Sequence, residues 1–394
     1  MTTSSVETPP RVIKYNPQLD GLRFCAVLFV VCYHWLPIIS SHKVSHFFGG
    51  FVNFFFVLSS YLITKILMSA KDKSVTLKFS KIKVILFFLF RRTIRIFPAY
   101  YMFLALVLII PGIGHHLKQH EVAYFSYLAN YYIFFAEQWP LATSHLWTLA
   151  VEEQFYIFWP LIVIFIPNKY LLKTFIGVGL ISIVLRAIFY QSTTGFFPQS
   201  ILTQYCLDSF AIGGILALKF TISKEQERLI DRFFHVSLLI GIPVGFIIIL
   251  TNSFYLSFVF NGLIISVISY MLIKKAIFGY TGLLQKFLEN KVVLFLGQIS
   301  YSIYLYHLVV PVVFWKMFDL IYEHLNLIYP QFFIEHDNNI VLLVKIMSSQ
   351  LGCFIIYSII TITLSILSWH IIEVPFNNLK NIFNPGLANK PKGS

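Results

Sequence analysis

The stretch LDGLRFCAVLFVVCYHWL, residues 19–36, decides the fold. It is apolar apart from Asp20, Arg23 and His34. A helix of about 20 such residues, at about 1.5 Å each, spans the roughly 30 Å of hydrocarbon in a bilayer. The residues before it, 1–18, are polar and include Pro9, Pro10 and Pro17. They hold no apolar segment followed by a small-residue cleavage site, so the run is expected to stay in the protein as a helix.

Outward from this stretch, runs of spanning length recur near 47–67, 84–111, 146–167, 171–191, 200–219, 234–251, 255–274, 293–318 and 340–371. Another apolar run, 122–136, is too short to cross and is expected to form a re-entrant or interfacial helix on the outer side. The composition agrees. Of 394 residues, 57% are hydrophobic, 18% aromatic and 12% charged, against about 25% charged in ordinary soluble domains. With a mean hydropathy of +0.75, a soluble globular enzyme and a disordered chain are excluded. The expected fold is an all-α integral membrane protein of about ten transmembrane helices. A polar tail (1–18) and a C-terminal tail (377–394) flank a transmembrane domain (19–376) that has membrane lipids as neighbours.

The net charge of +13, from 30 Lys and Arg against 17 Asp and Glu, would suit a nucleic-acid binder if there were a polar surface to display it. There is almost none, so no nucleic-acid partner is expected. The surplus reads instead as topology. With the N-terminus in the cytoplasm, 25 of the 30 basic residues fall on cytoplasmic segments, nine of them between Lys65 and Arg95. Only Lys43, Lys118, Lys316 and Lys345 fall outside, and Arg186 lies within an apolar run. An even number of crossings with both termini cytoplasmic fits this asymmetry. Histidines, including His115, His116, His120 and His145, gather in or beside outer segments and read as a polar interfacial surface. None has the His-Glu-x-x-His spacing of a metal site, and no metal is expected. There is also no phosphate loop and no Gly-x-Ser-x-Gly elbow.

Ionisable groups inside apolar runs carry the functional signal, because they are costly there. Arg23 and His34 are eleven residues apart, about 16 Å along a helix and about 20° apart around it, so they form one polar stripe. Arg92 and Arg95, in RRTIRIFP, share a helix face. A guanidinium pair of this kind is a fork for phosphate or carboxylate presented from the cytoplasm. Glu152 and Glu153 sit in SHLWTLAVEEQFYIFWP, whose aromatic frame places them at the outer interface, where one needs a donor such as Arg186 or a histidine. Asp208, in LDSFAIGG, needs a partner too: Arg186, or an arginine of the third run. Tyr301, Tyr304 and His307 follow one another at i,i+3 spacing in SYSIYLYHL, as on a cavity wall. Glu373 precedes Pro375 at the end of the last run, where it suits an ordinary helix-end acid as well as a functional one.

These segments, in this order, resemble the acyltransferase-3 family of membrane O-acyltransferases. The resemblance is carried by LDGLRFCAVLFVVCYHW with Arg23-x10-His34, FFFVLSSYLIT, RRTIRIFP, SHLWTLAVEEQFYIFWP, LDSFAIGG, LGQISYSIYLYHL and IIEVPF, from Leu19 to Phe376. Ser60, Thr148 and Cys206 depart from the residues usual at their positions. Some relatives carry an esterase-like extracytoplasmic domain, which is not expected here. The resemblance implies transfer of an acyl group, most often acetyl, from cytoplasmic acyl-CoA to a hydroxyl of a glycan or lipid-linked sugar, in the plasma membrane (the inner membrane in a bacterium). The residues take roles accordingly. Arg23, Arg92 and Arg95 are expected to hold the phosphates of coenzyme A. His34 acts as base or acyl carrier, and Glu152 orients it or the acceptor. Glu153, Arg186, Asp208, Tyr301, Tyr304 and His307 line the substrate cavity. The competing reading is a multi-pass transporter or flippase for an anionic metabolite, for which buried charges are equally expected.

Overall fold

Apolar runs punctuated by polar caps fold into helices, and among the described residues no strand is present. The computed structural model describes residues 15–36, 48–76, 78–190, 199–219, 221–328 and 349–379. The expected tails, apart from residues 15–18 and 377–379, lie outside the described residues, as do Lys43, Lys345 and the beginning of the last apolar run.

Helix α1 is Pro17–Trp35. It starts where Asn16 caps the Gln18 amide and Pro17 supplies a pre-formed first turn. Then follow α2 (Val52–Thr76) and α3 (Lys81–Ile109), and three short helices, α4 (His115–Gln119), α5 (Glu121–Phe125) and α6 (Ala129–Phe135). Helices α7 (Leu146–Phe165) and α8 (Asn168–Ile188) lead to α9 (Leu207–Leu218), α10 (Lys224–Thr251) and α11 (Gly262–Phe278). The chain continues through α12 (Gly282–Leu288), α13 (Lys291–Gln298), α14 (Ser300–Tyr306) and α15 (Val309–Ile328). Helix α16 (Gln350–Ser368) runs on through a π-turn, Trp369–Glu373, into α17 (Val374–Asn378).

Among the described residues, seven helices are long and apolar enough to cross a membrane, and α14 with α15 makes an eighth if that pair, bent by 42°, is one span. The chain is a multi-pass helical membrane protein. The short run at 122–136 is divided between α5 and α6 and forms no long helix.

The first run, α1, is not among those seven, the ninth is broken into α13, α14 and α15, and two further differences lie in α9 and α3. The sixth run yields only the twelve residues of α9, preceded by two 3-10 turns. Residues 208–218 of α9 are all buried, so its apolar character comes from contact with protein on every side. The glycines make this possible. A Cβ on Gly213 would stand 2.2 Å from the carbonyl oxygen of Val57 and 2.8 Å from Cβ of Ser60. Ser60 in turn donates to the carbonyl of Phe210 at 2.5 Å, so α2 and α9 are in backbone contact. A Gly213→Leu variant is therefore expected to lose about 1–3 kcal/mol or more through overpacking, read as a lower melting midpoint in detergent. An unchanged midpoint would show that the two helices are free to move apart.

The second difference is in α3. The helix begins at Lys81 and has 29 residues, longer than a crossing needs, so Arg92 and Arg95 stand in its middle and not at its start.

Candidate active site

Helices α1, α2, α3, α7 and α14 converge on a cavity of about 120 Å³. Its polar lining includes Arg23, Ser59, Arg92, Arg95, Glu152, Tyr156, Gln298, Tyr301 and Tyr304. Six of the residues expected from the sequence, Arg23, Arg92, Arg95, Glu152, Tyr301 and Tyr304, are thus brought together from four helices.

The cationic side is built first by α1. Gly297 of α13 lets the two helices touch, since a Cβ there would stand 2.0 Å from the carbonyl oxygen of Asp20. Asp20 accepts from Arg23 at 2.5 Å and from the Tyr15 hydroxyl at 2.8 Å. Arg23 is therefore held at its inner end while its helix is pressed against α13. On α3, Arg92 lies over two rings, 5.5 Å from the centroids of Phe88 and Tyr156. Arg91, which does not line this cavity, lies 5.4 Å over Phe87. The i,i+3 spacing of Arg92 and Arg95 thus selects the two arginines that share the cavity.

Opposite them stands Glu152, two turns into α7. It accepts from Ser59 Oγ at 2.9 Å and from the Tyr156 hydroxyl at 3.3 Å. The sequence placed it at an outer aromatic interface; the structure places it in one cavity with Arg92 and Arg95. A half-buried carboxylate facing guanidinium groups keeps its charge compensated without being consumed by one fixed ion pair.

Tyr301 and Tyr304 close the cavity from α14. The Tyr301 hydroxyl donates to the carbonyl of Ile96 at 3.2 Å, fixing α14 to α3. The Thr148 and Tyr304 hydroxyls lie 2.7 Å apart, and they reach the carbonyl oxygen of His145 at 2.9 and 3.1 Å. Beyond Tyr304 three imidazoles gather. The His34 ring, exposed on α1, lies 5.1 Å from that of His307. The ring of His145 is also 5.1 Å from His307.

His145 is the residue that sequence reading misplaced. It was assigned to an outer polar surface, yet it is 2% exposed and packed against Tyr304 and His307. One signal was available: His145 and Glu152 are seven residues apart, two turns on one helical face. Ser59 was missed as well, because a serine in an apolar run is ordinarily a packing residue.

Arg186 and Asp208 are placed elsewhere. They form a buried ion pair at 2.6 Å, with Arg186 Nη1 also donating to the carbonyl of Tyr205 at 2.8 Å. Of the two partners open to Asp208, the structure takes Arg186. Glu153 is buried, its Oε1 has no hydrogen-bond partner, and it does not line this cavity. Glu373 is buried too, and Ser302 Oγ donates to it. Among the described residues no group of three His, Cys, Asp or Glu side chains is placed to hold a metal ion.

The acyltransferase domain family, acyltransferase-3, matches residues 16–370, which contain the whole cavity and all three histidines. The chain belongs to that family. It is 31% identical over 320 residues to the peptidoglycan O-acetyltransferase OatA of Listeria monocytogenes, covering 75% of this chain and 49% of that protein. It is likewise 31% identical over 325 residues to the O-acetyltransferase OatA of Staphylococcus aureus, covering 75% of this chain and 50% of that protein. This acyltransferase-3 chain thus spans about half the length of the curated relatives it matches. No solved structure matches it.

Proposed function

We propose that this acyltransferase-3 protein moves an acetyl group from cytoplasmic acetyl-CoA to a hydroxyl of a cell-envelope glycan, with His34 as the base. We adopt ten crossings with both termini cytoplasmic. The observation that carries the reading is the cavity itself: three guanidinium groups and one carboxylate lie together inside a bundle of apolar helices, and Tyr304 of its lining packs on His145 and His307, the second of which packs on His34. Guanidinium forks suit the phosphates of coenzyme A. The thioester arm then extends along the Arg23–His34 stripe.

The chemistry is a proton-coupled acyl transfer. A ring nitrogen of His34 takes the proton of the acceptor hydroxyl as its oxygen attacks the thioester carbonyl. The tetrahedral adduct expels the coenzyme A thiolate, which recovers the proton from the imidazolium. Glu152, held by Ser59 and Tyr156, orients the imidazole or a second hydroxyl of the sugar. The Listeria relative is a peptidoglycan O-acetyltransferase, which makes a peptidoglycan-type sugar the acceptor to try first.

The purified protein in detergent tests this against the transporter reading. With no gradient to dissipate, acceptor-dependent release of free coenzyme A thiol supports the transferase, and none with any sugar acceptor counts against it. The arginines have their own signature. Arg92→Ala and Arg95→Ala are each expected to raise the acetyl-CoA KM by about tenfold or more, the worth of one charge-assisted hydrogen bond of about 1.5–3 kcal/mol. An unchanged KM in both removes them from phosphate binding.

A further inference from the structure

Of the three clustered imidazoles, only His34 has a part in the reaction so far. His307 is fully covered and His145 nearly so. Each is held by one nitrogen. His307 Nδ1 is 2.5 Å from the carbonyl oxygen of Tyr304, and His145 Nε2 is 3.0 Å from that of Leu305. A carbonyl oxygen only accepts, so these nitrogens carry the protons. In the neutral rings His307 Nε2 and His145 Nδ1 are then bare acceptors. Both are buried without a hydrogen-bond partner. Most buried polar atoms are paired, so two orphans in one cluster need a reason.

His307 is also mounted on the helix that carries His34. Its carbonyl oxygen accepts from Trp35 Nε1 at 2.8 Å, and Trp35 is the next residue after His34. Two imidazoles joined edge to edge by a bond of about 3 Å have centroids about 5 Å apart, allowing a ring radius of about 1.1 Å on each side. The rings of His34 and His307 stand 5.1 Å apart and are tilted by 54°. His34 is an exposed residue on α1, and χ2 of histidine is a broad torsion, so its ring can turn to direct one nitrogen toward His307.

We infer that His307 is the positioning residue for His34: its bare Nε2 accepts the His34 ring N–H, which leaves the other His34 nitrogen unprotonated and free to face the acceptor hydroxyl. The inference rests on the proposed role of His34 as base. When His34 takes the acceptor proton, the bond becomes that of an imidazolium to a neutral imidazole, which is stronger. The proton then passes from His34 to the departing thiolate, and His307 neither gains nor loses one. The orienting partner of a Ser-His-Asp triad does the same work, fixing the tautomer and direction of the base. His145 packs on His307 from another side and keeps its ring in place.

Three variants test this, assayed with acetyl-CoA and a peptidoglycan-type oligosaccharide. A glutamine places its amide oxygen near the position of Nε2, whereas an asparagine stops near Nδ1. His307→Asn is expected to lower kcat about 100-fold while the acetyl-CoA KM stays within about threefold, because the loss falls on proton transfer. His307→Leu lacks the acceptor but keeps apolar bulk. It carries the same expectation should the asparagine variant fail to fold. His307→Gln is expected to recover at least about tenfold of the lost kcat. A glutamine variant no better than asparagine or leucine, or a kcat within about threefold of wild type in either of those, overturns the inference. If His34→Ala is inactive and the His307 variants are not, the inference alone fails. If the wild type transfers nothing, or His34→Ala transfers normally, the reading of the function falls with it.

Discussion

Replacing His34 with alanine is expected to lower acetyl transfer about 10³-fold at saturating acetyl-CoA and glycan, within the range usual for loss of a general base. His34 is the one histidine of the cluster whose ring is exposed, and the one in line with Arg23 on α1. His145 and His307 each spend one nitrogen on a backbone carbonyl, so neither can turn toward a substrate without breaking that bond. The acetyl-CoA KM should change little, because the proposed phosphate-binding arginines are other residues on α1 and α3. Initial rates of coenzyme A release, with binding of the donor measured separately, check this. A His34→Ala protein that binds acetyl-CoA and still turns over within tenfold of wild type would place the base elsewhere.

The second large effect is on stability. Arg186→Ala leaves the Asp208 carboxylate, side chain 2% exposed, without its guanidinium partner. Breaking a buried pair from one side costs about 3–5 kcal/mol, which corresponds to a fall in melting midpoint of roughly 4–6 °C for a chain of this length. Ser182 Oγ, 3.4 Å from Asp208, is too distant to compensate. The combined variant Arg186→Met with Asp208→Leu removes both charges and should recover much of the loss, because the remaining surfaces are apolar. Thermal denaturation in a mild detergent reads both. A single variant as stable as wild type would mean that the pair is solvated in the membrane.

These two sites differ in how far sequence alone reached them. Arg23 and His34 were legible because one helix carries both, and helical spacing alone aligns them. Arg92 and Arg95 were found as a pair for the same reason. Their place in the middle of the helix was not, because an apolar run does not show that the helix begins earlier, at Lys81. His145 was hidden by its position just before α7, where its surroundings are made by α14, some 160 residues later in the chain. Helix α9 was overestimated for a related reason. An apolar run does not say whether lipid or protein covers it, and the Gly213 contact that brings it against α2 is a property of two distant segments. The Arg186–Asp208 pair could be posed as one of two alternatives, and only the packing of α8 against α9 chose between them.

The central claim is that acetyl passes from acetyl-CoA to a glycan hydroxyl at His34. Sealed proteoliposomes test it most directly, with isotope-labelled acetyl-CoA on the cytoplasmic face and a peptidoglycan-type oligosaccharide enclosed. Mass spectrometry of the recovered glycan should show a labelled acetyl ester with the wild type and none with His34→Ala. An unlabelled glycan from active, acetyl-CoA-binding wild type, or equal labelling by His34→Ala, would contradict it.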